Sequence, residues 1–196
     1  ECARWLEDHG QQASSLIQAE IQPRKTGTPL PLTYAQRRLW LLEQLSPGSS
    51  AYIIPSALRI HGVLDIACVN QVGNTLIARH ESLRTAIVRE ETGEDVLLRQ
   101  QVLPSCVLNV AYEAYNGPLT PETLQALIDA EACRPFDLTQ APLFRLRLLA
   151  LDSKTRTTEQ SQDSLLLLTM HHIISDGWSM TVFIKEFTEL YEAFRA

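Results

Sequence analysis

The sequence predicts a mixed α/β fold, a two-layer α/β sandwich in which helices pack against a sheet. Strand-like and helix-like periods alternate irregularly along the chain, and no repeat is present. The segment Leu165–Met170 is continuously apolar, which is typical of a strand buried on both faces. At 196 residues, with 45% hydrophobic and 20% charged residues, the chain is long enough to form one core and is not compositionally disordered.

Residues 1–31 differ from the rest and predict an upstream linker or the tail of a preceding module. The run Pro23–Pro31 is rich in Pro and also contains Gly, residues that break helices and strands. Trp5, Leu6, Leu16 and Ile17 could line a loose helix, but we expect no helix or sheet to persist at Pro23–Pro31 and a globular unit that spans residues 32–196.

Four helices are predicted from their start signals and apolar stripes. Thr33 and Gln36 form a capping-box pattern, Asp65 can cap a second helix, and Thr120 precedes Pro121 at a first helical position. The stripes are Leu39, Leu42 and Leu45; Val69, Val72 and Leu76; Leu124, Leu127 and Ile128; and Phe183, Phe187, Leu190 and Phe194.

Strands are predicted where apolar residues alternate with polar ones or run together. Phe144, Leu146 and Leu148 alternate with Arg145 and Arg147, as in a half-buried strand. Other strands are predicted at Tyr52–His61, Leu83–Arg89, Val96–Val102, Val107–Tyr112 and Leu165–Met170, and an exposed loop at Ser153–Asp163. The irregular order and the lack of a G-x-G-x-x-G motif argue against a dinucleotide-binding domain.

Charge and cysteine usage exclude several classes of function. The net charge of −6 does not suit a nucleic-acid-binding arm, and the longest apolar run, Leu165–Leu168, is too short to span a bilayer. Acidic residues stand near the N-terminus, where a signal peptide would carry basic ones. The 4 cysteines form no C-x-x-C pair, so we expect reduced thiols in a cytoplasmic protein without nucleic-acid or membrane partners.

The segment His171–Gly177 carries the best candidate for chemistry, because it joins the buried strand to the last helix. Adjacent residues on a strand point to opposite faces, so we expect His171 in the packing layer and His172 in a cleft. An imidazole can accept a proton near neutral pH. Asp176 could orient that imidazole or pair with an arginine, and Gly177 permits close approach of a backbone or substrate arm.

Other interpretations of these histidines have less support. A zinc site is disfavoured because adjacent strand histidines diverge and no third ligand motif is present. A serine hydrolase triad is disfavoured because the sequence has no G-x-S-x-G elbow. A purely structural histidine remains an alternative at either position.

Four blocks together resemble the condensation domains of nonribosomal peptide synthetases. His171–Gly177 is similar to their HHxxxDG active-site motif, and Thr33–Trp40 and Arg79–Thr85 are similar to their first two blocks, in the same order. Arg134–Leu138 is also family-like. Ile87 departs from a usually aromatic position, and the intact histidine pair disfavours the heterocyclising subtype. Domains that join an L-configured donor to an L-acceptor, or starter domains, are the subtypes favoured.

The resemblance implies the chloramphenicol acetyltransferase fold, in which two related lobes enclose a tunnel. By itself, the sequence leaves two explanations for a chain that stops at Ala196 inside a helical pattern: a docked helix, or a cut from a longer protein. The resemblance favours the second, with the C-terminal lobe missing. We then expect this lobe alone to be inactive.

The resemblance also implies an activity, partners and residue roles. Amide bonds would form between a carrier-bound acyl or peptidyl thioester and a carrier-bound aminoacyl acceptor, in assembly lines for secondary metabolites such as antibiotics. The donor carrier protein would lie upstream and the acceptor carrier downstream, each with a phosphopantetheine arm, and this lobe would bind no cofactor or metal of its own.

Within that site, the resemblance implies that His172 acts as general base or positions the amine, and that backbone near Gly177 helps to hold the oxyanion. His171 and Asp176 would be structural, with Asp176 paired to Arg84 or, as an alternative, to Arg79. A coenzyme A-dependent acyltransferase of the same fold is the alternative enzyme, and a non-enzymatic binding lobe is a third hypothesis.

Overall fold

The computed structural model describes residues 30–92, 95–151 and 163–196. Within these ranges, one sheet has the strand order β2-β7-β6-β5 and a second has the order β1-β4-β3. The strands are β1 (Leu30–Pro31), β2 (Ile53–Ile60), β3 (Thr85–Thr92), β4 (Asp95–Val102), β5 (Ala111–Tyr115), β6 (Phe144–Leu151) and β7 (Ser164–His171). The helices are α1 (Tyr34–Leu45), α2 (Ile66–Arg79), α3 (Pro121–Ala132) and α4 (Gly177–Arg195).

Strand β7 lies inside the four-stranded sheet, antiparallel to both β2 and β6, and every one of its residues is buried. Leu166 and Leu168 belong to the core cluster formed with α2 and α4. Leu165 and Leu167 pack on the opposite face with leucines of α3. The predicted α/β class is confirmed, and α3 adds a helical layer that the two-layer description lacks.

The apolar stripes of α2 and α4 form most of the main core. Val69, Val72 and Leu76 of α2 have no exposed surface, and Phe183 and Phe187 of α4 are buried beside them. The rings of Phe183 and Phe187 stack at a centroid distance of 6.2 Å. These two helices therefore cover one face of the four-stranded sheet, and α4 begins at the end of that sheet.

The predicted helix starts are confirmed at atomic detail. The Thr33 hydroxyl accepts the Gln36 N–H at 3.2 Å, and the Gln36 side chain accepts the Thr33 N–H at 3.0 Å, which completes a capping box. Asp65 accepts the Ala67 N–H at 2.8 Å, and Thr120 caps α3. No helix among the described residues combines the length and apolar character that a bilayer span requires.

The three-stranded sheet begins two residues earlier than the predicted domain boundary. Leu30 pairs with Gln100 and Pro31 with Arg99, at an edge of the sheet where proline is tolerated. The expectation that no helix or sheet persists at Pro23–Pro31 is therefore wrong for Leu30 and Pro31. The rest of the predicted linker, residues 1–29, lies outside the described residues.

The strand predicted at Val107–Tyr112 is displaced, because β5 begins only at Ala111. Leu108 and Val110 are buried, but their backbone N–H groups donate to the side chains of Asn74 and Asn70, each at 2.9 Å. Asparagine amides on α2 thus satisfy this backbone, so it needs no neighbouring strand.

Two other predicted bounds also change. The strand expected from Leu83 begins at Thr85, because Glu81–Arg84 form a 3₁₀ turn. Of the predicted exposed loop Ser153–Asp163, only Asp163 is described, and it is buried with its carboxylate 2.9 Å from the Arg59 guanidinium.

The predicted arginine face of β6 is turned toward α3. Glu131 of α3 is only 2% exposed, and its Oε1 lies 3.1 Å from Arg134 and 3.0 Å from Arg147. Arg145 donates to the Glu131 backbone carbonyl at 3.1 Å. We call Glu131, Arg134, Arg145 and Arg147 the Glu131 cluster. The buried carboxylate was not predicted, although Glu131 continues the helical face of Leu124, Leu127 and Ile128.

Candidate active site

The histidine turn, His171–Asp176, joins the end of β7 to the start of α4, as predicted. The His171 N–H donates to the Leu143 carbonyl at 3.0 Å, and the His172 N–H donates to the Tyr52 carbonyl at 2.8 Å. Both histidines are therefore anchored to neighbouring segments through their backbone.

His171 is buried and neutral. The residue is only 2% exposed, and its Nδ1 accepts the Ile173 N–H at 3.0 Å. Burial, followed by the charge of neighbouring His172, lowers the pKa of His171 to about 4. The proton then lies on Nε2, which has no hydrogen-bond partner among the described residues. This is the packed location expected for His171.

His172 is exposed, and its ring orientation is set by one contact. Its Nδ1 lies 2.8 Å from the Ser175 carbonyl oxygen. Because a carbonyl oxygen only accepts, Nδ1 carries the proton, and in the neutral ring Nε2 keeps its lone pair. An imidazole in this state can accept a proton or a hydrogen bond from an attacking N–H or O–H group.

Asp176 caps α4 rather than binding an arginine. Its Oδ1 accepts the Ser179 N–H at 2.8 Å and the Ser179 hydroxyl at 2.6 Å, and the Asp176 N–H donates back to that hydroxyl at 3.3 Å. The side-chain and backbone hydrogen bonds from Ser179 lower the pKa of Asp176. The carboxylate is thus held at a helix N-terminus, where negative charge is stabilised.

Arg84 binds backbone carbonyls at the end of α2. It donates to the carbonyls of Ile77, Ala78 and Leu103 at 2.8, 2.8 and 3.0 Å. Arg79 pairs instead with Glu186 of α4 at 2.9 Å. The predicted ion pair between Asp176 and Arg84, and its alternative with Arg79, is therefore not formed. The last turn of α2 leaves carbonyls without helical partners, and these attract a guanidinium.

Gly177 lies at the open start of α4. A Cβ atom placed on it meets no atom within 4 Å, and its backbone is outside the left-handed region that favours glycine. The described residues therefore do not require glycine at this position. The surface beside it is free for close approach by another group.

A pocket of about 170 Å³ lies beside the histidine turn. Its lining combines apolar and polar residues, which are His80, Ser82, Leu83, Met170, Ile174, Ser175, Trp178, Ser179, Val182 and Phe183. His80 is oriented by Glu186, whose Oε2 lies 2.9 Å from its Nε2.

The two blocks that line this pocket, Arg79–Thr85 and His171–Gly177, were predicted to meet through an ion pair of Asp176 with Arg84 or Arg79. They do meet, but through other residues. They are separated by about ninety residues of chain, and only the packing of α2 against α4 brings them together. Elsewhere, within the described ranges, no three His, Cys, Asp or Glu side chains are arranged to hold a metal ion.

The order of these blocks and the exposed imidazole agree with one family of proteins. The sequence model of the condensation domain matches residues 27–196. The chain belongs to the condensation domain family. The predicted family is thereby confirmed.

Relatives of this chain are found in large peptide synthetases. A linear gramicidin synthase protein of Brevibacillus parabrevis is 34% identical over 192 residues, which cover 98% of this chain and 4% of that protein. A plipastatin synthase protein of Bacillus subtilis is 35% identical over 171 residues, which cover 87% and 6%. This condensation-domain chain therefore corresponds to a small part of each of these proteins.

Solved condensation domains share its fold. The first condensation domain of the calcium-dependent antibiotic synthetase, in complex with a substrate analogue, matches with a TM-score of 0.71 and 26% identity, over 87% of this chain and 40% of that one. The starter condensation domain of rhizomide synthetase matches with a TM-score of 0.70 and 25% identity, over 86% and 38%. The predicted chloramphenicol acetyltransferase-like fold is confirmed.

Proposed function

We propose that residues 32–196 form the N-terminal lobe of a nonribosomal peptide synthetase condensation domain. The complete domain would form an amide bond between a carrier-bound acyl or peptidyl thioester and a carrier-bound aminoacyl acceptor. The observation that carries this proposal is the exposed imidazole of His172, whose Nδ1–H is held by the Ser175 carbonyl at 2.8 Å. Its Nε2 lone pair is thereby available to an incoming amine.

In the proposed reaction, the acceptor nitrogen attacks the donor carbonyl carbon. A C–N bond forms and the C–S bond breaks, and the proton that leaves nitrogen ends on the thiol of the donor arm. His172 Nε2 either takes that proton as general base or accepts a hydrogen bond that positions the amine. N–H groups at the start of α4, beside Gly177, would help to stabilise the oxyanion.

The proposed partners are a donor carrier protein upstream, an acceptor carrier downstream and a C-terminal lobe of the same domain. The names of the relatives, which are peptide synthases, support carrier-bound substrates. The chain covers 38% to 40% of the solved condensation domains, a share that suits one of two lobes. One lobe cannot hold both arms in a tunnel or exclude water, so we expect it to be inactive alone.

The first experiment measures condensation by the complete domain with both carriers loaded. His172→Ala is expected to lower the rate by about 10²–10⁴-fold, the usual contribution of a general base. His61→Ala is the control, because the His61 side chain is 78% exposed and lies 3.4 Å from Asp163, beyond the opposite end of β7 from the turn. A His172→Ala variant that folds and keeps the wild-type rate would contradict the proposal.

A second variant separates the two proposed roles of His172. In His172→Gln, an amide can accept a hydrogen bond near the position of Nε2 but cannot take a proton. Recovery of most of the rate would assign positioning, whereas a loss equal to that of His172→Ala would assign general base catalysis. Turnover of free acyl-coenzyme A with a small acceptor, without carriers, would instead favour the alternative acyltransferase.

The donor subtype is tested in the same assay. We propose either a domain that joins an L-configured donor to an L-acceptor or a starter domain. A donor carrier loaded with a fatty acyl group is compared with one loaded with an L-aminoacyl or peptidyl group. Preference for the acyl donor assigns the starter subtype, and preference for the L-aminoacyl donor assigns the other.

A further inference from the structure

Ser175 contacts the histidine turn through two different groups. The residue is only 8% exposed, and its hydroxyl donates to the His171 carbonyl at 3.0 Å. Its own carbonyl oxygen lies 2.8 Å from His172 Nδ1. The side chain of Ser175 therefore anchors the same residue whose backbone orients His172.

The anchor point, His171, is itself held from several directions. Its carbonyl oxygen accepts the Ile174 N–H at 3.1 Å in addition to the Ser175 hydroxyl, and its Nδ1 accepts the Ile173 N–H. Its N–H donates to the Leu143 carbonyl on the other side. The Ser175 hydroxyl thus ties the end of the turn to a point that cannot easily move.

The position of the Ser175 carbonyl matters because a neutral imidazole has two tautomers. A carbonyl facing Nδ1 stabilises the Nδ1–H form, in which Nε2 is an acceptor. If that carbonyl turns away, the Nε2–H form becomes accessible, and Nε2 can then neither accept a proton nor accept a hydrogen bond from an amine.

We propose that the Ser175 hydroxyl is a positioning group for His172: by bonding the His171 carbonyl, it holds the Ser175 carbonyl on Nδ1 and so keeps His172 in the Nδ1–H tautomer. This proposal deepens the proposed function. Its measurement of activity rests on that function, whereas its measurement of the His172 tautomer does not.

The chain offers a matched control at the opposite end of β7. Ser164 is 3% exposed, and its hydroxyl also donates to a backbone carbonyl at 3.0 Å, that of Gly62. Ser164→Ala therefore removes a hydroxyl–carbonyl bond of the same length, together with the acceptor of the Leu64 N–H at 3.2 Å, and neither bond has any connection with His172. This variant controls for the loss of stability that follows when a serine hydroxyl no longer bonds a backbone carbonyl.

The primary experiment is NMR of the complete domain labelled with ¹⁵N-histidine, in which the two tautomers give distinct nitrogen shifts. The His172→Gln spectrum assigns the His172 signals. Wild type and Ser164→Ala are expected to show the Nδ1–H form, whereas Ser175→Ala is expected to show a mixture of both forms. Ser175→Thr, which keeps a hydroxyl, is expected to restore the Nδ1–H form.

The secondary readout is condensation kinetics. For Ser175→Ala, kcat should fall about 10-fold while KM for the loaded carriers stays within about 2-fold, because orientation rather than binding is lost. If Ser175→Ala does not fold, Ser175→Cys, whose thiol is a weak donor, replaces it.

Two results would overturn this proposal. One is an Nδ1–H signal in Ser175→Ala as complete as in wild type; the other is an equal change of tautomer in Ser164→Ala. If wild type holds the expected tautomer but forms no amide, the proposed function fails while the role of Ser175 in the turn stands.

Discussion

The histidine turn and the Glu131 cluster both bury an ionisable group, but they stabilise it in opposite ways. His171 is kept neutral, with its pKa lowered to about 4 by burial and by His172. Glu131 is instead surrounded by guanidinium groups, with Arg134 and Arg147 at 3.1 and 3.0 Å. Removing the charge and pairing the charge are the two ways in which proteins avoid an isolated buried ion.

The difference explains why only one of the two regions is suited to chemistry. In the Glu131 cluster, the arginines are engaged by carboxylates and backbone carbonyls, and their hydrogen bonds join α3 to β6. In the histidine turn, backbone groups, the His171 ring and the side chains of Ser175 and Asp176 make the structural bonds. The Nε2 of His172 and the surface beside Gly177 remain open.

The largest expected effect is the loss of stability in Glu131→Gln. Arg134 and Arg145 would then lose their carboxylate partner, whereas Arg147 keeps that of Glu113, and breaking an ion pair with a buried partner typically costs about 3–5 kcal/mol. Denaturant unfolding of the complete domain measures it. Asp129→Asn removes the same charge from the exposed side of α3 and should change stability by less than about 0.5 kcal/mol. Equal effects of the two variants would contradict the pairing described for Glu131.

A somewhat smaller effect is expected from the titration of His171. Its folded-state pKa, about 4, lies below the ordinary value of 6.5, so the unfolded chain takes up the proton first as pH falls. Stability is therefore complete above about pH 6.5 and decreases toward pH 4, by about 3 kcal/mol over the whole interval.

The window between pH 6.5 and pH 5 separates this titration from that of most carboxylates. His171→Phe should be less stable than wild type at pH 7, because the Ile173 N–H loses its acceptor, but it should lack most of the slope in this window. An unchanged slope in His171→Phe would show that another group titrates there.

A smaller loss of stability is expected when the Asp176 side chain, which caps α4, is removed. Asp176→Ala removes the cap of α4 and should lower the melting temperature and, through the displaced turn, the activity. Asp176→Asn keeps a side chain that also caps helices well and should restore both. Loss of all turnover with an unchanged melting temperature would instead assign Asp176 to catalysis, contrary to its hydrogen bonds with Ser179.

The smallest effect on stability is expected at Gly177. Gly177→Ala should leave stability unchanged or raise it by less than about 1 kcal/mol, because the added Cβ meets nothing and alanine favours helix. Turnover should fall if the substrate arm approaches here. Gly73→Ala on α2 is the contrast, since its Cβ would lie 2.8 Å from Leu108 Cδ2 and should destabilise the core. A Gly177→Ala domain with full turnover would remove Gly177 from the proposed site.

Much of the fold and the place of the candidate site could be predicted because their signals are local. The caps Thr33, Asp65 and Thr120 act within three residues of themselves, and they are confirmed. The continuous apolar run of β7 and the helical period of the apolar stripe of α2 are enough to predict that these residues are buried. Because the two histidines directly follow this apolar run in the chain, the histidine turn lies at the end of β7.

Several of the predictions that failed depended on partners distant in the chain. Asn70 and Asn74 replace a strand partner for Leu108 and Val110 only because α2 passes beside them. Asp176 is an exception, because its partner Ser179 stands three residues on, at the spacing of a capping box, and this local signal was not used.

By itself, the sequence determined the α/β class, the first three helix starts, the approximate place of most strands, the family and the position of the two histidines. Only the tertiary structure decided which atoms those histidines contact, that Arg84 binds the end of α2, and that Glu131 is buried among arginines. The physical reason is that periodicity and capping are set by neighbours in the chain. The partner of a buried polar or charged group depends instead on which distant segments packing brings within about 3 Å.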